Sequence, residues 1–91
     1  MSTLRLPPVL RSHAGGARTV DVADGTLRDA LDDLFTQHPS LRPQIVDDGG
    51  SLNRFVNVYV DNEDVRLRDG LETRVSEGST VIVLPAMAGG A

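Results

Sequence analysis

Hydrophobic and polar positions alternate along the first quarter of the chain: Leu4 and Leu6 with Thr3 and Arg5, then Val20 and Val22 with Thr19 and Asp21. A period of two marks half-buried strands. Between them, Ala14-Gly15-Gly16-Ala17 offers two glycines that tolerate positive backbone dihedrals, so a reversing turn and an N-terminal hairpin are expected. From Thr26 the period lengthens. Leu27, Ala30, Leu31, Leu34 and Phe35 form one apolar stripe of an amphipathic helix, with Thr26 and Asp29 spaced as an approximate capping box and Pro39 as its stop. Residues 40–53 hold Pro43, Asp47, Asp48, Gly49, Gly50 and Ser51 and read as a loop of variable conformation.

Strand periodicity returns in Phe55-Val56-Asn57-Val58-Tyr59-Val60, where the three valines share one face, expected to pack on the helix, and Phe55, Asn57 and Tyr59 share the other. Asp61-Asn62-Glu63-Asp64 is a turn segment, followed by an expected short strand Val65-Arg66-Leu67. Leu71 and Val75 are expected to anchor a helical turn, and Glu77-Gly78 a reversal. Thr80-Val81-Ile82-Val83-Leu84 is apolar and β-branched, as in a central strand covered on both faces. The pattern predicts an α+β domain over 1–84: one helix across a mixed sheet, with the first and last strands as parallel central neighbours. Residues 85–91 lack periodicity and charge and are expected to project as a flexible tail ending Gly89-Gly90-Ala91.

Composition narrows the function. With 91 residues and 40% hydrophobic positions the chain supports one domain, too small for a cleft between domains. A net charge of -4 and three aromatics disfavour nucleic-acid binding by phosphate contacts or base stacking. Having no cysteine removes disulfides, thiolate metal sites, iron-sulfur clusters and a cysteine nucleophile. All nine basic side chains are Arg, as codon bias or a preference for guanidinium pairing would give, which leaves the N-terminus as the chain's amine. Without a membrane-length apolar run or a basic-then-apolar leader, a soluble cytoplasmic protein is expected, without membrane partners.

No conventional catalytic set emerges. His13 and His38 have no acidic trio beside them, the serines sit in no nucleophile elbow, and Asp29, Asp32 and Asp33 read as a solvated helix face, so no catalytic residue and no metal is assigned. The tail is the candidate. Gly89 and Gly90 carry no side chain, so with Ala88 they can thread a narrow channel and present a carboxylate to ATP in a partner's active site. Phe55 and Tyr59, opposite the valine face, are candidates for partner docking, with packing under a loop as the alternative.

The stretch from Phe55 through Arg66, then Leu71, then Glu77 through Gly90 resembles the MoaD/ThiS family of β-grasp, ubiquitin-like sulfur carriers, and within it is most similar to actinobacterial carriers of cysteine biosynthesis. The resemblance implies that an E1-like enzyme adenylates Gly90 at the expense of ATP, and that sulfur then replaces AMP to leave a thiocarboxylate. That sulfur would serve a pyridoxal-phosphate-dependent cysteine synthase, and a JAMM-type zinc peptidase would release cysteine. The chain itself would bind no cofactor and act as a co-substrate, not an enzyme. Because the family's chain ordinarily ends on the second glycine, Ala91 is expected to be removed, making Gly90-Ala91 the processing site. Molybdopterin synthase, thiamin or secondary-metabolite pathways are alternative destinations. A non-catalytic β-grasp interaction module and a protein-conjugating modifier are the readings from other classes.

Overall fold

The computed structural model describes residues 1–85. Strands β1 (Ser2–Arg5) and β2 (Thr19–Val22) pair antiparallel, with Leu4 opposite Val20. Gly15 and Gly16 adopt φ of 66° and 89°, in the region that favours glycine, as the turn reading requires. The connection is nevertheless not a tight hairpin. A 3-10 helix over Pro8–Ala14 precedes the glycines and buries Leu10 and Ala14, so the linker contributes to the core.

A two-residue strand β3 (Gly25–Thr26) leads into α1 (Leu27–Gln37). The capping box is complete: Asp29 N donates to Thr26 Oγ1 at 3.2 Å and Thr26 N donates to Asp29 Oδ2 at 3.0 Å. An isolated helix of this length is marginal in water, so its stability comes from its stripe. Leu27, Ala30, Leu31, Leu34 and Phe35 are all buried. At about 1.5–3 kcal/mol for each large side chain, burial outweighs a cap's contribution of about 1 kcal/mol.

Residues 40–53 are more ordered than their composition suggests. A 3-10 turn over Pro39–Leu41 runs into the short helix α2 (Arg42–Ile45), and Leu41, Ile45 and Val46 are buried. Val46 then bridges Leu52, while Asp47 Oδ1 accepts from Gly49 N at 2.9 Å and Ser51 N at 3.0 Å. A side-chain oxygen that takes both amides replaces the missing ladder and closes the loop.

Strand β4 (Val56–Val60) buries Val56, Val58 and Val60, in one cluster with the stripe of α1. Asp61 and Asn62, at φ of 50° and 74°, form the two-residue turn into β5 (Glu63–Asp64), where Val60 faces Glu63. The expected strand Val65-Arg66-Leu67 is a 3-10 turn instead. Asp64 Oδ1 accepts from Arg66 N at 2.9 Å, and the Arg66 guanidinium donates back to Asn57 Oδ1 at 2.8 Å and Asn53 O at 3.0 Å, curling the segment onto β4. The expected helical turn from Leu71 to Val75 divides likewise: Leu71 lies in a 3-10 turn over Gly70–Glu72, and Val75 lies in β6 (Arg74–Val75), which pairs with β3.

Strand β7 (Thr80–Pro85) closes the sheet, in the order β2-β1-β7-β4-β5. It runs parallel to β1 and antiparallel to β4, which makes it central as expected. It is not covered on both faces. Val81 and Val83 are buried, whereas Ile82 is half-buried and Leu84 is 43% exposed. The apolar residues of α1 and α2 share one cluster with Val81 and Val83 but not with Ile82 or Leu84, so the apolar run exceeds what the core takes up. The strand also ends at Pro85, opposite Val56, one residue beyond the boundary expected at 84.

Candidate functional site

The C-terminal end of β7, at Pro85, is the last described part of the chain. The end of β1, the start of β2 and the start of β4 meet it there, because Arg5 is opposite Thr19 and beside Ile82, while Val56 is opposite Pro85. The sites assigned to Ala88, Gly89, Gly90 and Ala91 lie outside the described residues. Pro85, three residues before Ala88 in sequence, does not.

Pro85 lines an apolar groove of about 250 Å³ with Pro7, Val9, Pro43, Phe55 and Val56. Phe55 and Val9 are 58% and 67% exposed, so the groove has aromatic and aliphatic rims open to solvent. Phe55 precedes β4 instead of lying in it: its N–H donates to Asn53 Oδ1 at 3.0 Å, and the guanidinium of Arg54 stands 5.5 Å from its ring centroid. Tyr59 lies within β4 on the open face, half-buried beside Ile82. The expected common face of Phe55, Asn57 and Tyr59 therefore holds for Asn57 and Tyr59. Phe55 belongs to the groove it shares with Pro85, because Asn53 captures its amide before the ladder begins.

A second hollow, on the open face, is lined by Arg5, Pro7, Pro8, Arg11, Ile82 and Leu84. Pro7 borders both hollows, so the 3-10 helix after β1 forms a shared wall. Periodicity did not reveal that helix, and the pairs Pro7-Pro8 and Gly15-Gly16 were its sequence signals.

His38 caps the end of α1, and the carbonyl of His13 accepts from Ser40 Oγ at 3.1 Å. Among the described residues no three His, Asp or Glu side chains form a group able to hold a metal ion, and no helix is long and apolar enough to cross a membrane.

Comparison with known proteins places this geometry. The profile of the ThiS family matches residues 4–90. The sulfur carrier protein CysO of Mycobacterium tuberculosis is 40% identical over 90 residues, 97% of each chain. A chain of the crystal structure of the Amycolatopsis orientalis BexX/CysO complex superposes with a TM-score of 0.90 at 38% identity, covering 94% of this chain and 96% of that one. Small archaeal modifier protein 1 of Haloferax volcanii is 32% identical over 82 residues, 87% of this chain and 90% of its own. A mixed sheet with parallel central strands, one main helix across it and a profile match running through the paired glycines agree on one conclusion: this β-grasp chain belongs to the ThiS family.

Proposed function

We propose that the chain is a sulfur carrier whose working group is the carboxyl of Gly90. The observation that carries this reading is the extent of the family match, which runs to Gly90 and stops short of Ala91, on a chain whose near relatives include a named sulfur carrier. The tail between Pro85 and Gly90 has no charged side chain and only Met87 as a large one, which suits passage through a narrow channel.

The chemistry follows from the carboxyl. Ala91 holds it in a peptide bond, so a hydrolase, read as a JAMM-type zinc peptidase, first cleaves Gly90-Ala91. A carboxylate oxygen of Gly90 then attacks the α-phosphorus of ATP on an E1-like adenylating enzyme. Pyrophosphate leaves, and a mixed anhydride with AMP remains. Hydrosulfide, delivered by a sulfur donor within the enzyme's site, adds to the acyl carbon, AMP departs, the thioacid proton is released, and Gly90 ends as a thiocarboxylate. Its sulfur is the donor for a pyridoxal-phosphate-dependent cysteine synthase in the cytoplasm. Tethering sulfur to a protein raises its effective concentration at the acceptor and avoids free sulfide. The chain is then a co-substrate that holds no cofactor of its own.

The small archaeal modifier protein among the relatives favours a second reading, in which the activated carboxyl passes to amines of other proteins. The first steps are shared and the products differ. Pyrophosphate release, measured for chains ending at Gly90 and at Ala91 with the adenylating enzyme and no peptidase, tests the shared step. Release from the Gly90 chain alone is expected. Equal release from both would remove the processing step, and release from neither would remove the carrier reading.

A further inference from the structure

Four of the nine arginines gather at the end of the sheet that holds Pro85. Arg5 ends β1, and Leu6, the next residue, donates its N–H to Arg18 O at 2.9 Å and accepts from Arg11 Nε at 3.1 Å. Three guanidinium-bearing residues thus converge on one stretch of backbone. Across the end of β7, Arg54 stands over the exposed ring of Phe55. Arg5, Arg18 and Arg54 are exposed. Among the described residues the ion pairs are Met1–Asp24, Arg28–Glu72 and Arg68–Glu63, so none of these four arginines is in one.

The other end of the sheet is acidic. Asp24 follows β2, Asp61 and Glu63 make the β4–β5 turn, and Glu77 precedes β7, all at the end where Gly78 N donates to Met1 O. A chain of net charge -4 therefore carries a positive face at the Pro85 end of its sheet, set around an apolar groove. Unpaired arginines about an exposed aromatic are the composition of a protein-binding surface.

The length of the remaining chain limits what can cover this face. From Pro85 to Gly90 is five residues, a reach of at most roughly 17 Å. Any enzyme that holds the Gly90 carboxyl in its active site must bring the mouth of its channel within that distance of Pro85, and so over this end of the domain. We propose that the face formed by Arg5, Arg11, Arg18, Arg54 and the Val9–Phe55 groove docks the adenylating partner, whose channel mouth presents carboxylates around an apolar contact. This rests on the carrier reading for the partner's identity, while the charge pattern stands on its own. Rim charges of this kind act mainly on the association rate and lose strength as salt rises.

The test uses the full chain and the adenylating enzyme of the same organism, with binding measured by stopped-flow and titration without ATP at rising NaCl. The variant R5E/R18E/R54E is compared with R28E/R68E/R74E, which makes the same charge change away from the Pro85 end, and melting curves of both confirm folding. Expected is an association rate lowered at least about tenfold in the first triple, near wild type in the second, and falling with salt for the wild type. Equal losses in both triples, no loss in either, or no binding by the wild type would overturn the proposal. So would a dimer in sedimentation that the first triple dissolves, since the face would then belong to a second copy. Pyrophosphate release is read separately: salt-dependent binding through this face without release would retain the docking face and remove the carrier reading.

Discussion

Asp61 ties the β4–β5 turn to the start of β7 through Ser79, whose hydroxyl donates to Asp61 Oδ2 at 2.9 Å. The other carboxylate oxygen accepts from Thr80 N at 3.0 Å, and Ser79 Oγ accepts in turn from Ser76 N at 3.1 Å. One side chain thus joins two edges of the turn region, and it does so from a backbone φ of 50° that Asp and Asn tolerate better than most residues. Ser79 is buried, so its hydroxyl depends on these partners.

Asp61→Ala is therefore expected to cost about 1–3 kcal/mol, since it removes two hydrogen bonds and leaves a non-glycine residue at positive φ. Asp61→Asn keeps the backbone preference and one acceptor and should cost less. Urea denaturation of the two variants checks the order. Equal losses would show that the acceptor atoms contribute nothing.

The start of α1 gives a second ordered pair. Thr26→Ala removes half of the capping box and is expected to lower stability by about 1 kcal/mol. Gly25→Ala should cost more, because Gly25 has φ of 123° and an added Cβ would collide with the Asp29 carboxylate. Thermal melts of both read the difference, and a milder effect at Gly25 would contradict this geometry.

Leu41 and Leu67 separate what the sequence made legible from what it did not. The helix at 27–37 and the valine face of β4 followed from periodicity, because each spans enough residues for a pattern to repeat, and the order of the elements placed β1 parallel to β7. Leu41 and Ile45 are single anchors in a short, proline-containing stretch, so nothing repeated; the buried turns they hold are set by tertiary contacts. Leu67 misled in the opposite sense. It resembles a strand residue, yet it is 84% exposed because Arg66 and Asp64 curl its backbone away. For the candidate site, sequence singled out the glycines and Phe55, whereas the arginine-rimmed face needed the strand register to bring residues 5, 11, 18 and 54 together.

Leu41→Ala is accordingly expected to cost about 2–5 kcal/mol, as for a fully buried leucine. Leu67→Ala should stay within about 0.5 kcal/mol of wild type. Chemical denaturation of both compares them directly, and similar losses would mean that residues 39–46 are not part of the core.

The central claim is that Gly90 carries sulfur, and the mass of the intact chain reads it most directly. A chain ending at Gly90 is incubated with the adenylating enzyme, ATP and a sulfur donor, then weighed whole and after fragmentation of its C-terminal peptide. The account predicts the exchange of one oxygen for one sulfur, located on Gly90 and absent when ATP is withheld. An adenylate that forms and returns only the unchanged carboxylate, or a sulfur found anywhere but Gly90, would contradict it.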